Sequence, residues 1–147
     1  MHTEHLQNVS ISQVIAGWLI AAAVASLVAL ALVGTGVITD DPTAAGTWWS
    51  MLAIAAGFLA GGFFTGFRAI QAPILHAAAI GFTSIVIWFL LNALAALAFR
   101  SWSWPTVSPQ FAVGVILLQF VAAAIGALLG YNLALRGRPG LSEHEPV

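Results

Sequence analysis

The sequence predicts an all-α polytopic membrane protein, with four transmembrane helices arranged as two antiparallel hairpins. Three observations predict it. Hydrophobic residues make up 61% of the 147 residues and charged residues only 6%. A soluble domain carries roughly 25% charged residues, so this chain cannot clothe a water-facing surface. Four separate stretches, at 14–33, 48–67, 74–99 and 111–135, contain no Asp, Glu, Lys or Arg, and each reaches the about 20 apolar residues that a bilayer span requires. Within each stretch the apolar residues run all round the helix, whereas a soluble bundle shows polar faces at helical period.

The first stretch follows a segment, Met1 to Gln13, that lacks Lys and Arg. It therefore reads as a retained span and not as a signal peptide, although Ala29-Leu30-Ala31 has the form of a cleavage site. Thr47 is the expected cap of the second helix. Pro73 suits the first turn of the third, and Ser108-Pro109 reads as N-cap and first residue of the fourth. Gly137 followed by Pro139 reads as its stop. The third and fourth stretches exceed the minimum span, so tilt or protruding ends are expected.

The connections are short. The longest, about 34–46, contains Thr39-Asp40-Asp41-Pro42, and Asp41-Pro42 reads as a turn. The second, around Arg68 to Ala72, is so short that helices two and three must be antiparallel neighbours. Four spans place the N-terminus, the second connection and the C-terminus on one side. That side holds Arg68, Arg136 and Arg138; the other holds Arg100 beside Asp40 and Asp41. The excess of arginine puts both termini in the cytoplasm, with Trp48, Trp49, Trp102 and Trp104 at the outer boundary.

Small residues mark the expected contact faces, because membrane helices associate by close van der Waals approach. In the second helix Ala53, Gly57 and Gly61 share one face, and Gly62 and Gly66 lie near the opposite one. A helix with small residues on two sides is expected between two neighbours. In the fourth, Gln119, Ala123, Gly126 and Gly130 form a stripe; in the first, Ala22, Ala25, Ser26 and Ala29 form another. The functional alternative is a narrow pore lined by backbone carbonyls. Gly62 to Arg68 and Gly126 to Asn132 share the pattern glycine, three residues, glycine, aromatic, polar. Chance similarity is the simpler explanation of so short a match; a duplication would relate the two hairpins as a parallel repeat.

Polar residues at membrane depth are the candidates for chemistry. His76 is the foremost, with Thr83 on the same face seven residues on. It reads either as a titrating or ligand-contacting side chain, or more simply as an interfacial histidine bonded to a backbone carbonyl or headgroup. Asn92 and Gln119 either fix helix register or line a polar path. Ser26, Thr65, Thr83 and Ser84 can return their hydroxyls to their own helix. Arg68 reads as a snorkelling topology anchor, with contact to an anionic lipid or a partner as its functional alternative.

Asp40 and Asp41 alone do not fill a calcium shell. A metal site shared by His2, Glu4 and His5 with Glu143, His144 and Glu145 would have to form from terminal tails, which are poor scaffolds. Cysteine is absent, which excludes disulfides and thiolate chemistry. The only aspartates are Asp40 and Asp41, so no serine–histidine–aspartate set forms within the spans. A phosphate-cradling glycine loop with lysine and the HExxH pattern are also missing. Four basic residues do not make a nucleic-acid footprint. No catalytic, cofactor-binding or metal-binding residue is expected.

The junction Ala60 to Ala69, followed by Pro73 to Gly81, resembles the YrzE-like family of small bacterial membrane proteins. Gly61-Gly62, Gly66, Leu75-His76 and Gly81 carry the resemblance. Phe67 between Gly66 and Arg68, and Ala77 where the family often has glycine, depart from its pattern. The resemblance covers about 20 residues in detail, with four spans and similar length beyond them. It implies architecture and no activity. The expected function is that of a non-enzymatic accessory or self-associating bundle in the cell membrane, partnered by lipid and by its own copies or another membrane protein. The alternative is a small transporter or channel component using polar residues of helices three and four.

Overall fold

The computed structural model describes residues 9–39, 44–69, 72–99, 101 and 108–137. They form four helices: α1 (Ile11–Gly34), α2 (Ala44–Arg68), α3 (Pro73–Ala98) and α4 (Pro109–Arg136). Each is long and apolar enough to cross a membrane. Such a chain satisfies every span's backbone polar groups within the helix, as the absence of water in hydrocarbon demands.

The helix ends follow local chemistry. Ser108 caps α4 by accepting the N–H of Phe111 at 3.3 Å, with Pro109 in the first turn. Pro73 opens α3, and Gly137 closes α4. The end of α1 wraps onto Gly36, whose φ of +72° lets Val37 N–H reach back to Leu32 O at 2.9 Å. The expected cap at Thr47 is incorrect: α2 already runs from Ala44, so Thr47 lies inside its first turns.

α2 is the hub. It packs most extensively on α4, next on α1, and it also touches α3. α3 in turn packs on α4 and α1, while α1 and α4 barely meet. The cyclic order is therefore α1, α2, α4, α3. α2 and α3 do contact one another, but across a diagonal of the bundle.

The glycines explain why α2 holds this place. A Cβ at Gly57 would overlap the carbonyl of Ala21, and one at Gly61 the carbonyl of Gly17. A Cβ at Gly62 would overlap the carbonyl of Ala123, and one at Gly66 that of Ala127. α2 thus meets α1 on one side and α4 on the other at backbone distance. On α1 the contact stripe is Gly17, Ala21 and Ala25. Of the expected stripe of Ala22, Ala25, Ser26 and Ala29, Ala25 lies in this contact and Ser26 faces outward, because the seam follows the i, i+4 row through Ala21.

The pairings run in opposite senses. Gly17 faces Gly61 and Thr65 while Ala25 faces Gly57, so α1 and α2 are antiparallel. α2 and α4 are parallel, and their contact is reciprocal. Gly62 meets Ala123 and Gly126 meets Leu59; Gly66 meets Ala127 and Gly130 meets Phe63. One shift along the chain carries Gly62 to Gly126, Gly66 to Gly130, Leu59 to Ala123 and Phe63 to Ala127. The same shift carries Gly17 onto Gly81, but Gly17 packs against Thr65, Ile80 and Gly61 and Gly81 against Phe120, so α1 and α3 are placed differently. The α2–α4 seam therefore has an approximate local two-fold axis parallel to the two helices, which α1 and α3 do not share.

The core is small in side chain. Val14, Ala21, Phe58, Ala77, Ile80, Ala122, Ala123 and Ala127 form it. Most large apolar residues instead lie on the outside, among them Leu27, Leu30, Phe82, Leu94 and Leu97. In a bilayer that outer shell is the solvated one, and cohesion comes from dispersion across the glycine seams.

Candidate functional site

The starts of α1 and α3 and the ends of α2 and α4 lie at one end of the bundle. This end carries Ser10, Arg68, His76 and Arg136. The connection preceding α3 is tight there. Ala72 adopts a left-handed conformation, φ 52° and ψ 54°, directly before Pro73. A residue with a Cβ is strained in that region, and proline further restricts the residue before it. The conformation aims the Ala72 carbonyl into the first turn of α3, where it accepts both the backbone N–H of His76 at 3.2 Å and its ring Nδ1–H at 2.9 Å.

His76 is 1% exposed, among the largest fully buried side chains. Its second nitrogen, Nε2, accepts the backbone N–H of Ser10 at 3.0 Å. A carbonyl only accepts and an amide only donates, so Nδ1 takes the donor role and Nε2 the acceptor role. The imidazole thereby fastens the start of α1 to the start of α3. Of the readings the sequence offers for His76, the structure has it bonded to a backbone carbonyl, with an amide as second partner. The role of Ser10 was not legible, because its contact is made by a backbone amide that any residue except proline would supply.

Arg68 ends α2 and lies apart from this tie. Its guanidinium rests over the Phe64 ring, 5.6 Å from the centroid. Together with Ser12, Gln13, Ala16 and Phe64 it lines a cavity of about 450 Å³ between the start of α1 and the end of α2. Ser12 and Gln13 stand outside the sequence-derived candidates; their polarity just before an apolar run reads as an ordinary helix entry.

The remaining candidates are dispersed. Thr65 is fully buried and donates to Gly62 O at 2.8 Å, and Thr83 donates to Ala79 O at 2.8 Å. Asn92 is 7% exposed in the far half of α3, with Nδ2 donating to Trp88 O at 2.9 Å and Oδ1 buried without a partner. Gln119 is half-buried on α4 and hydrogen-bonds no described residue. The described residues contain no group of three His, Cys, Asp or Glu placed to hold a metal. Asp40, Asp41, Arg100, Trp102, Trp104, Arg138 and the terminal His and Glu residues lie outside the described residues. Trp48 and Trp49 are exposed at the opposite end of the bundle from Arg68.

The fold defines a four-helix membrane protein, with Ser10, Arg68 and His76 at one bundle end. No family model, curated protein or solved structure matches the chain.

Proposed function

We propose that this protein is non-enzymatic and acts through helix–helix contact in the cell membrane, as a self-associating bundle or as an accessory subunit of another membrane protein. The observation that carries this reading is the interior itself. α2 is sealed against α1 and α4 at backbone distance, and Thr65, Thr83 and Asn92 direct donors to their own helices. An interior so closed favours a part held rigid for contact over a path for solutes. Exposed apolar side chains that a partner or lipid would meet include Leu27 and Leu30 on α1 and Leu90, Leu94 and Leu97 on α3.

Both termini face the cytoplasm in this proposal, supported by Arg68 and Arg136 at the bundle end from which α1 starts. The resemblance to the YrzE-like family is consistent with this architecture and adds no activity. Extraction in mild detergent tests the proposal. A stable homo-oligomer or a co-purifying membrane protein is expected; a lone monomer overturns it. One observation favours the transport alternative, the unpartnered Oδ1 of Asn92 inside the bundle. Flux through liposomes containing the purified protein would support that alternative.

A further inference from the structure

We infer that the cavity between the start of α1 and the end of α2 is a binding site for the headgroup of an anionic phospholipid. The cavity has about 450 Å³, within the roughly 300–1,000 Å³ of ordinary small-molecule sites. Its wall divides by depth. Ser12, Gln13 and Arg68 stand at the helix ends, and Ala16 and Phe64 lie one turn further into the spans. A polar mouth above an apolar floor matches the junction between a phosphate and its acyl chains.

The charge has the right sign. Phe64 positions the Arg68 guanidinium from one side, leaving its donors for an acceptor, and guanidinium suits phosphate oxygens. The start of α1 adds to the attraction. Ser10 does not cap it; its hydroxyl meets Ser12 Oγ at 3.0 Å instead. The first-turn N–H groups of Ile11 and Ser12 find no acceptor among the described residues, and a helix N-terminus favours an anion.

The sequence shift that superposes the two glycine patterns supplies an internal comparison. The positions equivalent to Ser12, Gln13, Ala16 and Arg68 in the second hairpin are His76, Ala77, Ile80 and Asn132. There the cation is missing, a larger side chain replaces Ala16, and the histidine is buried in the tie to Ser10. Only the first hairpin combines room, a cation and an uncapped helix start. The inference needs the spans and not the oligomeric state, because one chain supplies every lining residue.

Native mass spectrometry of the whole protein in detergent tests it, with phosphatidylglycerol and phosphatidylcholine of matched acyl chains. One phosphatidylglycerol should bind, preferred over phosphatidylcholine by about tenfold. Arg68→Gln should remove that preference, and Ala16→Leu should remove the bound lipid by filling the floor. Arg136→Gln, at the same bundle end but outside the cavity, should change neither. Equal binding of the two lipids overturns the inference, as does an equal loss in Arg136→Gln. Displacement of the lipid by inorganic phosphate alone would mark a soluble-anion site and overturn the lipid assignment.

Discussion

His76 joins two segments that are far apart in sequence through backbone groups alone, and removal of the ring has a definite cost. His76→Ala would leave the Ser10 N–H without its acceptor and open a void among fully buried side chains. The two effects together cost about 2–4 kcal/mol, read as a fall in thermal stability in detergent. Amide exchange at the start of α1 should accelerate at the same time; unchanged protection at Ser10 would refute the tie. Asn92 predicts the opposite sign. Its Oδ1 is buried without a partner, and an unsatisfied buried acceptor costs about 1–3 kcal/mol. Asn92→Leu should therefore raise stability by about 1 kcal/mol; a fall would show that the oxygen has a partner in the membrane. Both residues stand out in the sequence as polar groups in apolar runs. Their surroundings do not, since Ser10 acts through its amide and Ala72 through a backbone conformation that its side chain disfavours.

At the scale of the helices, glycine serves two distinct purposes, and substitution separates them. Gly66 faces the carbonyl of Ala127 at backbone distance, whereas Gly114, near the start of α4, has nothing near it. Gly66→Ala must push α2 from α4 and cost about 1–3 kcal/mol. Gly114→Ala adds a methyl group to an open helix face and should gain about 0.5–1 kcal/mol from helix propensity. Equal effects of the two in thermal melts would deny the seam. The sequence located all four helices, because about 20 uncharged apolar residues have few other fates. It placed their ends less well. α1 begins at Ile11 and not at Val14, and α2 at Ala44 and not at Trp48, because helices continue past the hydrocarbon boundary into residues too polar to count as span. The two glycine faces of α2 were legible from the helical period. The α1 row through Ala21 was not, since an alanine-rich helix offers several equivalent stripes and only the partner chooses among them.

For the molecule as a whole, the repeated glycine pattern gains meaning only in three dimensions. Chance similarity was the simpler account of Gly62 to Arg68 and Gly126 to Asn132. The reciprocal contacts of Gly62 with Ala123 and of Gly126 with Leu59 relate α2 and α4 by one local axis. Parallel α2 and α4 require that the helix ends at Arg68 and Arg136 lie on one side of the membrane, with the starts of α1 and α3. Because the chain contains no cysteine, single-cysteine variants report this without background. Val37→Cys, in the exposed turn after α1, should react with an impermeant maleimide on intact cells. Gly137→Cys, at the end of α4, should react only after permeabilisation, since arginine-rich ends stay in the cytoplasm. The reversed pattern would invert the orientation and leave the fold standing. Reaction of both sites on intact cells would overturn the parallel α2–α4 seam, because helices that end on opposite sides of the bilayer cannot form it.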